Sequence, residues 1–297
     1  MRILQFFFLG TFLIACDGSK DVLPKSTGSA NEIIVVVSDA IWDKFPSKAV
    51  KDNFAKDYPG LQQSESLFNV IRIKPSDFST IFKTHQNIIL ISENGEEGKK
   101  NDLWASPQLV ARLKWNLESE QKQFAENSKK YANDFYENQL QKISQKYTNS
   151  EKTIKNKFGI DIKIPSEFSI INDSTNVFWA TYNPPKSDLI KQILVFSLKV
   201  NEINFHENLM LKVDSVLAKT LKGRGENNFV QTEKRFPLEI SDNTYRGLWK
   251  MENEFMGGPF LMKIHKQNQG KIIVSIGIVF APGQNKKRFM VEMDALL

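Results

Sequence analysis

The chain has 297 residues, with 40 Lys and Arg against 34 Asp and Glu, a formal charge of +6. That excess is thinly spread, its densest knot being Lys286-Lys287-Arg288, which reads as a solvated first helical turn; a nucleic-acid footprint is excluded, and only weak attraction to anionic lipid or polymer is expected. One cysteine excludes structural disulfides, so stability must come from a core, which 41% hydrophobic residues and 22 phenylalanines can supply.

Arg2 precedes an apolar run at 3–14, the pattern of a signal peptide. As a helix that run reaches only about 18 Å, well short of a bilayer core of about 30 Å. A permanent span is not expected there, and no later run is long and apolar enough to make one. The run closes on Leu13-Ile14-Ala15-Cys16, which resembles the bacterial lipobox. The resemblance implies a diacylglyceryl group on the Cys16 sulfur, cleavage just before it, and a membrane anchor of two or three acyl chains. One chain holds only marginally, at about 0.8 kcal/mol per buried methylene. With Cys16 used for lipid, cysteine nucleophiles and thiolate metal sites fall away. Asp17 does not decide which membrane is meant. The predicted layout is therefore a signal peptide over 1–15 and a lipidated end over 16–31, whose Gly, Ser, Pro and Lys read as a flexible tether.

The ordered part is predicted to begin at Glu32. Residues 33–37 (IIVVV) form a buried strand, β-branched throughout and too short for a helix. Ser47 reads as the cap of a short helix with Val50 and Phe54 inward, closed by Pro59-Gly60. Strands follow at 67–73 and 87–91 with a helical turn at 76–82 between them, and 93–101 reads as an exposed loop. Ser106-Pro107 is a helix-start pattern. Leu113, Leu117, Phe124, Tyr131, Phe135, Leu140 and Ile143 then recur at helical spacing, which predicts a helix of about forty residues, about 60 Å long. Gaps in its stripe at Glu120 and Ser128 favour packing within the chain over a coiled coil.

Thr148-Asn149-Ser150 should break that helix, with Ser150 capping a short one through Ile154 and Phe158 that ends at Gly159. Strands are then predicted at 160–164, 176–182 and 192–200, a helix at 206–221 stopped by Gly223-Arg224-Gly225, and long strands at 244–251, 259–265 and 271–280. Asn268-Gln269-Gly270 reads as the hairpin turn between the last two strands, and a helix at 286–296 closes the chain. The fold class is α+β, with mainly antiparallel sheets, flanking helices and one long central helix. The expected divisions are an N-terminal α/β unit over 32–105, a helical connector over 106–158 and a C-terminal α+β unit over 159–297.

The runs NEIIVVVSDAIW (31–42), IFKTHQNIILIS (81–92), RGLWKMENEFMGGPF (246–260) and KIIVSIGIVFAPGQNKKRF (271–289) resemble an uncharacterised family of bacterial lipoproteins, domain of unknown function family 4837. The likeness covers nearly the whole mature chain. It implies a cell-envelope address, export across the inner membrane and Cys16 as the lipid-bearing residue, and it supplies no catalytic assignment.

Catalytic patterns are wanting. His85, His206 and His265 lie far apart and in no H-E-x-x-H, and there is neither a G-x-S-x-G elbow nor a G-x-x-x-x-G-K-[ST] loop. Residues 223–228 (GRGENN) follow a helix, the wrong setting for a phosphate loop. Carboxylate pairs such as Glu252 and Glu254 suit any charged surface. No metal or cofactor is expected. The candidate binding surface is Trp42, Arg246, Trp249, Phe255 and Met256: an aromatic and methionine lip, with Arg246 able to fork onto a carboxylate or phosphate. The competing reading is a hairpin whose aromatics fill the core. Function is expected to be that of a non-catalytic binding or scaffold domain, tethered to a membrane through lipid on Cys16 and facing an envelope protein partner. An envelope hydrolase or metal-dependent enzyme, its site assembled only in three dimensions, stays open as the alternative. The sequence sets no oligomeric state.

Overall fold

Apolar alternation, burial and turn chemistry divide the chain into two sheets with helices packed between and around them. The computed structural model describes residues 22–147, 152–199, 205–266 and 271–297. In chain order the elements are β1 (Glu32–Val36), α1 (Asp39–Trp42), α2 (Phe45–Phe54), β2 (Asn69–Ile73), α3 (Thr80–Lys83), β3 (Asn87–Ser92), β4 (Gly98–Asn101), β5 (Leu109–Lys114), α4 (Gln121–Ser144), α5 (Lys152–Phe158), β6 (Ser169–Asp173), β7 (Val177–Tyr182), β8 (Ile190–Lys199), α6 (Phe205–Thr220), β9 (Val230–Thr232), β10 (Glu239–Ser241), β11 (Thr244–Met251), β12 (Gly257–Lys266), β13 (Lys271–Phe280) and α7 (Lys287–Leu296).

The α+β class holds. The larger sheet runs β10-β11-β12-β13-β8-β7-β6, with β9 added to β11, and is antiparallel throughout. The smaller sheet, β2-β1-β3-β5-β4, is parallel in every pairing except β4 with β5. Its inner strands are buried on both faces, as parallel strands require, and so read as continuous apolar runs.

Three apolar clusters follow from strand alternation. The largest lies between the sheets. It joins Ile33, Val35, Ile89 and Leu113 of the smaller sheet, Phe54 of α2, Phe124 and Phe135 of α4, Met290 and Met293 of α7, and Phe178, Ile193 and Leu261 of the larger sheet. The second fills the far face of the larger sheet under Leu209, Val213 and Leu217 of α6. The third covers Ile34, Val36 and Ile88 on the far face of the smaller sheet with Phe78, Phe82 and Trp104. At Gly277 of β13 the helix comes so close that a Cβ would stand 2.9 Å from the Met293 side chain, so only glycine lets α7 lie against the sheet there.

Several local expectations are corrected. The loop predicted at 93–101 contains β4, hydrogen-bonded to β5. Ser106-Pro107 is a cis peptide before a strand rather than a helix start. Leu109, Val110, Ala111 and Leu113 bury both faces of that strand between β3 and β4, and these sheet partners outweigh the local helical spacing. The central helix therefore has 24 residues rather than about forty, and the boundary drawn at 106 cuts through the smaller sheet. Helix α2 starts at Phe45 with Pro46 in its first turn, not at Ser47. Residues 160–164 do not join the larger sheet; the strand beside β7 is β6. The tether predicted over 16–31 is docked in its last part: Ser26 and Thr27 donate backbone hydrogen bonds to Ser106 and Thr84. Ser150, the turn at 268–270, Cys16 and the whole of 1–15 lie outside the described residues.

Candidate binding cleft at the seam

Helix α7 carries two carboxylates into an otherwise apolar position, and each finds its cationic partners on the larger sheet and a tyrosine hydroxyl in or just after α4. Glu292 accepts from Lys191 Nζ at 2.8 and 3.0 Å and from Tyr147 Oη at 3.2 Å. Lys191 also stands 4.7 Å from the centre of the Tyr182 ring.

Asp294, 5% exposed, organises the more open constellation. Arg246 Nη2 lies 2.7 Å from its Oδ2, and Lys263 Nζ 2.8 Å from its Oδ1. Lys263 also donates to the Asp294 main-chain oxygen at 2.7 Å, and Tyr136 Oη donates to Oδ2 at 2.8 Å. Tyr136 and Tyr58 share a hydroxyl contact of 3.3 Å, and the Arg246 guanidinium lies 5.8 Å from the centre of the Tyr58 ring. Strand register explains the convergence. Arg246 opposes Leu261 and Thr244 opposes Lys263, which makes the two cations diagonal neighbours on one face. On the opposite face Tyr245, Gly247, Trp249 and Met251 point into the second core, as alternation predicts. Over Arg246 passes Gly60, φ +78°, where a Cβ would come within 2.6 Å of the Arg246 Cβ; the turn needs glycine twice over.

These groups line a cleft of about 470 Å³, with Lys56, Glu137 and Asp242 at its polar wall. A second hollow of about 390 Å³ reaches the same Lys263 and Asp294 from beside Asp161 and Lys163. Burial alone would raise the Asp294 carboxyl, but Lys263 and Arg246 beside it bring it below its ordinary value of 3.8. Burial drives Tyr136 well above the usual phenol value and Tyr58 above it, with Asp294 adding to both. Arg246 Nε is buried with no hydrogen-bond partner. The cleft thus offers both signs of charge and two hydroxyls that keep their protons.

The predicted lip residues go to separate places. Trp249 is 3% exposed, and its Nε1 donates to the Val279 carbonyl at 3.1 Å. Met256 packs against the second core, while Phe255 at the β11–β12 turn is fully exposed. Trp42, half-buried, lies between Lys51 and Arg72, whose charges stand 6.0 and 5.6 Å from its ring centre. Of the five, only Arg246 belongs to the seam, so no single lip forms. The histidines are also apart: His85 contacts Asn87, His206 the Tyr245 hydroxyl at 2.7 Å, and His265 the Ser275 hydroxyl at 3.1 Å. Burial and the charge of Lys263 hold His265 below its usual value. Among the described residues no group of three His, Cys, Asp or Glu could hold a metal ion.

Sequence reasoning missed Tyr58, Tyr136, Lys263 and Asp294. A signal existed for the last two: a lysine inside the apolar run FLMKI, and an aspartate among Met290, Val291, Met293 and Leu296. Charges at core positions need partners.

A family model described as Domain of unknown function (DUF4837) matches residues 147–297, and one described as Domain of unknown function (DUF8532) matches residues 26–148. The runs 246–260 and 271–289 fall in the first, whereas 31–42 and 81–92 fall in the second, so the resemblance to the first is narrower than the sequence suggests. The join follows the end of α4, and the seam cleft draws Tyr58 and Tyr136 from one matched segment and Arg246, Lys263 and Asp294 from the other. No curated protein matches the chain. Among solved structures, the human StarD13 (DLC2) lipid transfer and protein localization domain is 9% identical with a TM-score of 0.22, over 44% of this chain and 89% of that one. Human StAR-related lipid transfer protein 5 is 7% identical with a TM-score of 0.23, over 53% of this chain and 92% of that one. Scores of this size do not establish a common fold.

Proposed function

The chain belongs to the family described as Domain of unknown function (DUF4837), and from that premise and its own residues we propose a lipid-anchored protein of the cell envelope whose body binds a polar ligand in the seam cleft without transforming it. The observation that carries binding over catalysis is that the buried carboxylate of the cleft is already fully engaged, with Arg246 at 2.7 Å, Lys263 at 2.8 Å and the Tyr136 hydroxyl at 2.8 Å from Asp294. A general acid or base works best with a pKa near the working pH. Asp294 is held ionised by Lys263 and Arg246, while Tyr58 and Tyr136 are held protonated. The same groups suit a ligand that carries both charges, because Lys56, Arg246 and Lys263 line the cleft together with Glu137, Asp242 and Asp294.

The anchor is supported by Leu13-Ile14-Ala15-Cys16 after an apolar run too short to span. Among the described residues no helix is long and apolar enough to cross a membrane. Cells fed labelled palmitate should mark the chain, and Cys16→Ser should lose both the label and partition with membranes. A photoreactive residue at Lys56 in the full chain, irradiated in intact cells and followed by mass spectrometry, should capture the same species reproducibly. Failure to capture anything, with turnover of a polymer or ester by the purified chain, would instead establish the hydrolase.

A further inference from the structure

Strand β2 ends the smaller sheet and pairs with β1 alone. The Asn69 N–H donates to the Asn31 carbonyl at 2.7 Å, and the Ile73 carbonyl accepts from the Val37 N–H at 3.0 Å. Residues 69, 71 and 73 therefore turn their backbone groups toward β1. By alternation Val70 and Arg72 turn theirs outward.

Exposed edges are normally blunted by shortness, lysines or bulges. Three of the four sheet edges follow that rule. Strand β4 has four residues including Lys99 and Lys100, β10 has three residues, and β6 carries a register shift between Ile170 and Asn172. Strand β2 keeps an unbroken register over its five residues, contains no proline, and exposes Ile71.

A groove of about 570 Å³ runs beside this edge, lined by Val70 and Arg72 themselves, by Trp42, and by Lys51 and Lys287. Its one carboxylate, Glu65, is already used, accepting the backbone N–H groups of Lys286 at 2.7 Å and Lys287 at 3.1 Å. Asp39, half-exposed, pairs with both Arg72 and Lys74. The Lys287 ammonium donates to the Ser66 and Leu67 carbonyls at 2.6 and 3.3 Å, which leaves one of its three N–H groups for a ligand, and Arg72 Nε is buried with no hydrogen-bond partner. A positive groove, an aromatic wall and an unblunted strand edge thus coincide.

We propose that β2 accepts an additional strand, an extended segment of another protein rich in acidic side chains, whose backbone bonds to Val70 and Arg72 while alternate carboxylates reach Lys51 and Lys287. In strand addition the backbone supplies affinity and the flanking pockets supply specificity. Five residues of strand give a contact about 17 Å long. The site is separate from the seam cleft, so the two readings stand or fall independently.

The test uses the purified full chain in detergent and two synthetic peptides of about eight residues, one alternating Glu with Val or Thr, the other with Lys in place of Glu. Amide exchange over 69–73 should slow about tenfold or more with the acidic peptide and stay unchanged with the basic one. Val70→Pro, tolerated at a strand edge, should keep the fold by circular dichroism and weaken the acidic peptide about tenfold. Should that variant misfold, Lys51→Glu carries the test, with a loss of about fivefold or more for the acidic peptide. The proposal is overturned if the acidic peptide gives no protection at saturation, if both peptides bind equally, if either folded variant binds like the parent, or if anionic vesicles bind the groove while 69–73 stays unprotected.

Discussion

At the level of single residues, the decisive feature is that one carboxylate holds two cations in a setting with little water. Removing one member of a buried ion pair costs about 3–5 kcal/mol, because the remaining charge stays buried without its partner. Asp294→Ala should therefore destabilise the chain by about that much, measured by urea unfolding. Lys263→Met should cost less, since Arg246 and Tyr136 still hold the carboxylate. The pH dependence has a fixed sign. The folded-state pKa of Asp294 lies below its ordinary 3.8, so its stabilisation is complete above that value and fades as pH falls through the folded one. Stability of the parent chain should decline as the medium is acidified below about pH 4, and Asp294→Ala should show a shallower decline. Tyr147 behaves oppositely. Burial and then Glu292 raise its phenol to about 12, so its contribution is complete below 10.0 and lost as pH rises through 12. Absorbance titration at alkaline pH should show several late-ionising tyrosines, and Tyr147→Phe should remove one equivalent of that late absorbance, the one that ionises near 12, while Tyr136 and Tyr58 keep theirs.

Among elements, α7 is the piece on which both halves depend. Its cap residue Lys286 makes no side-chain capping bond, and Glu65, from the other matched segment, supplies the missing acceptor for the first two N–H groups. A carboxylate there also faces the positive end of the helix dipole. Glu65→Ala should cost about 1–2 kcal/mol, read as a lowered Tm, with Glu65→Gln recovering part of it. The element scale is also where sequence reading did best and where it failed. Strands β1, β3 and β13 were legible because their apolar residues are mostly β-branched and bounded by turn residues, and β11 because its residues alternate between buried and half-buried along the strand. Strand β5 was not, because its identity comes from β3 and β4 on either side, and Ser106-Pro107 before it imitates a helix start. The seam site was legible only in part. Arg246 stood out beside glycine and aromatic residues, but Tyr136 meets Asp294 across 158 positions of chain and Tyr58 meets Tyr136 across 78, contacts that no local pattern encodes.

Over the whole molecule, two segments matched by different family models share one apolar cluster. Phe54, Phe124 and Phe135 from the first and Phe178, Ile193, Met290 and Met293 from the second belong to the same buried set. Independent domains meet through modest, fairly polar interfaces; here α4 and α7 pack together within the core, and each segment's buried face is completed by the other. Unfolding one segment would expose the apolar face of its neighbour, at about 25 cal/mol for each Å² uncovered. The two should therefore unfold together. Trp115 reports on the first segment and Trp249 on the second, both nearly fully buried. With the other tryptophans replaced by phenylalanine, variants keeping only Trp115 or only Trp249 should give urea transitions that coincide with each other and with far-ultraviolet circular dichroism. Residues 22–147 expressed alone should bind a hydrophobic dye and lack a sharp thermal transition. Two separated transitions, or a cooperative fold in the isolated first segment, would show that the shared core adds little, and the seam cleft would then lie between bodies free to move apart.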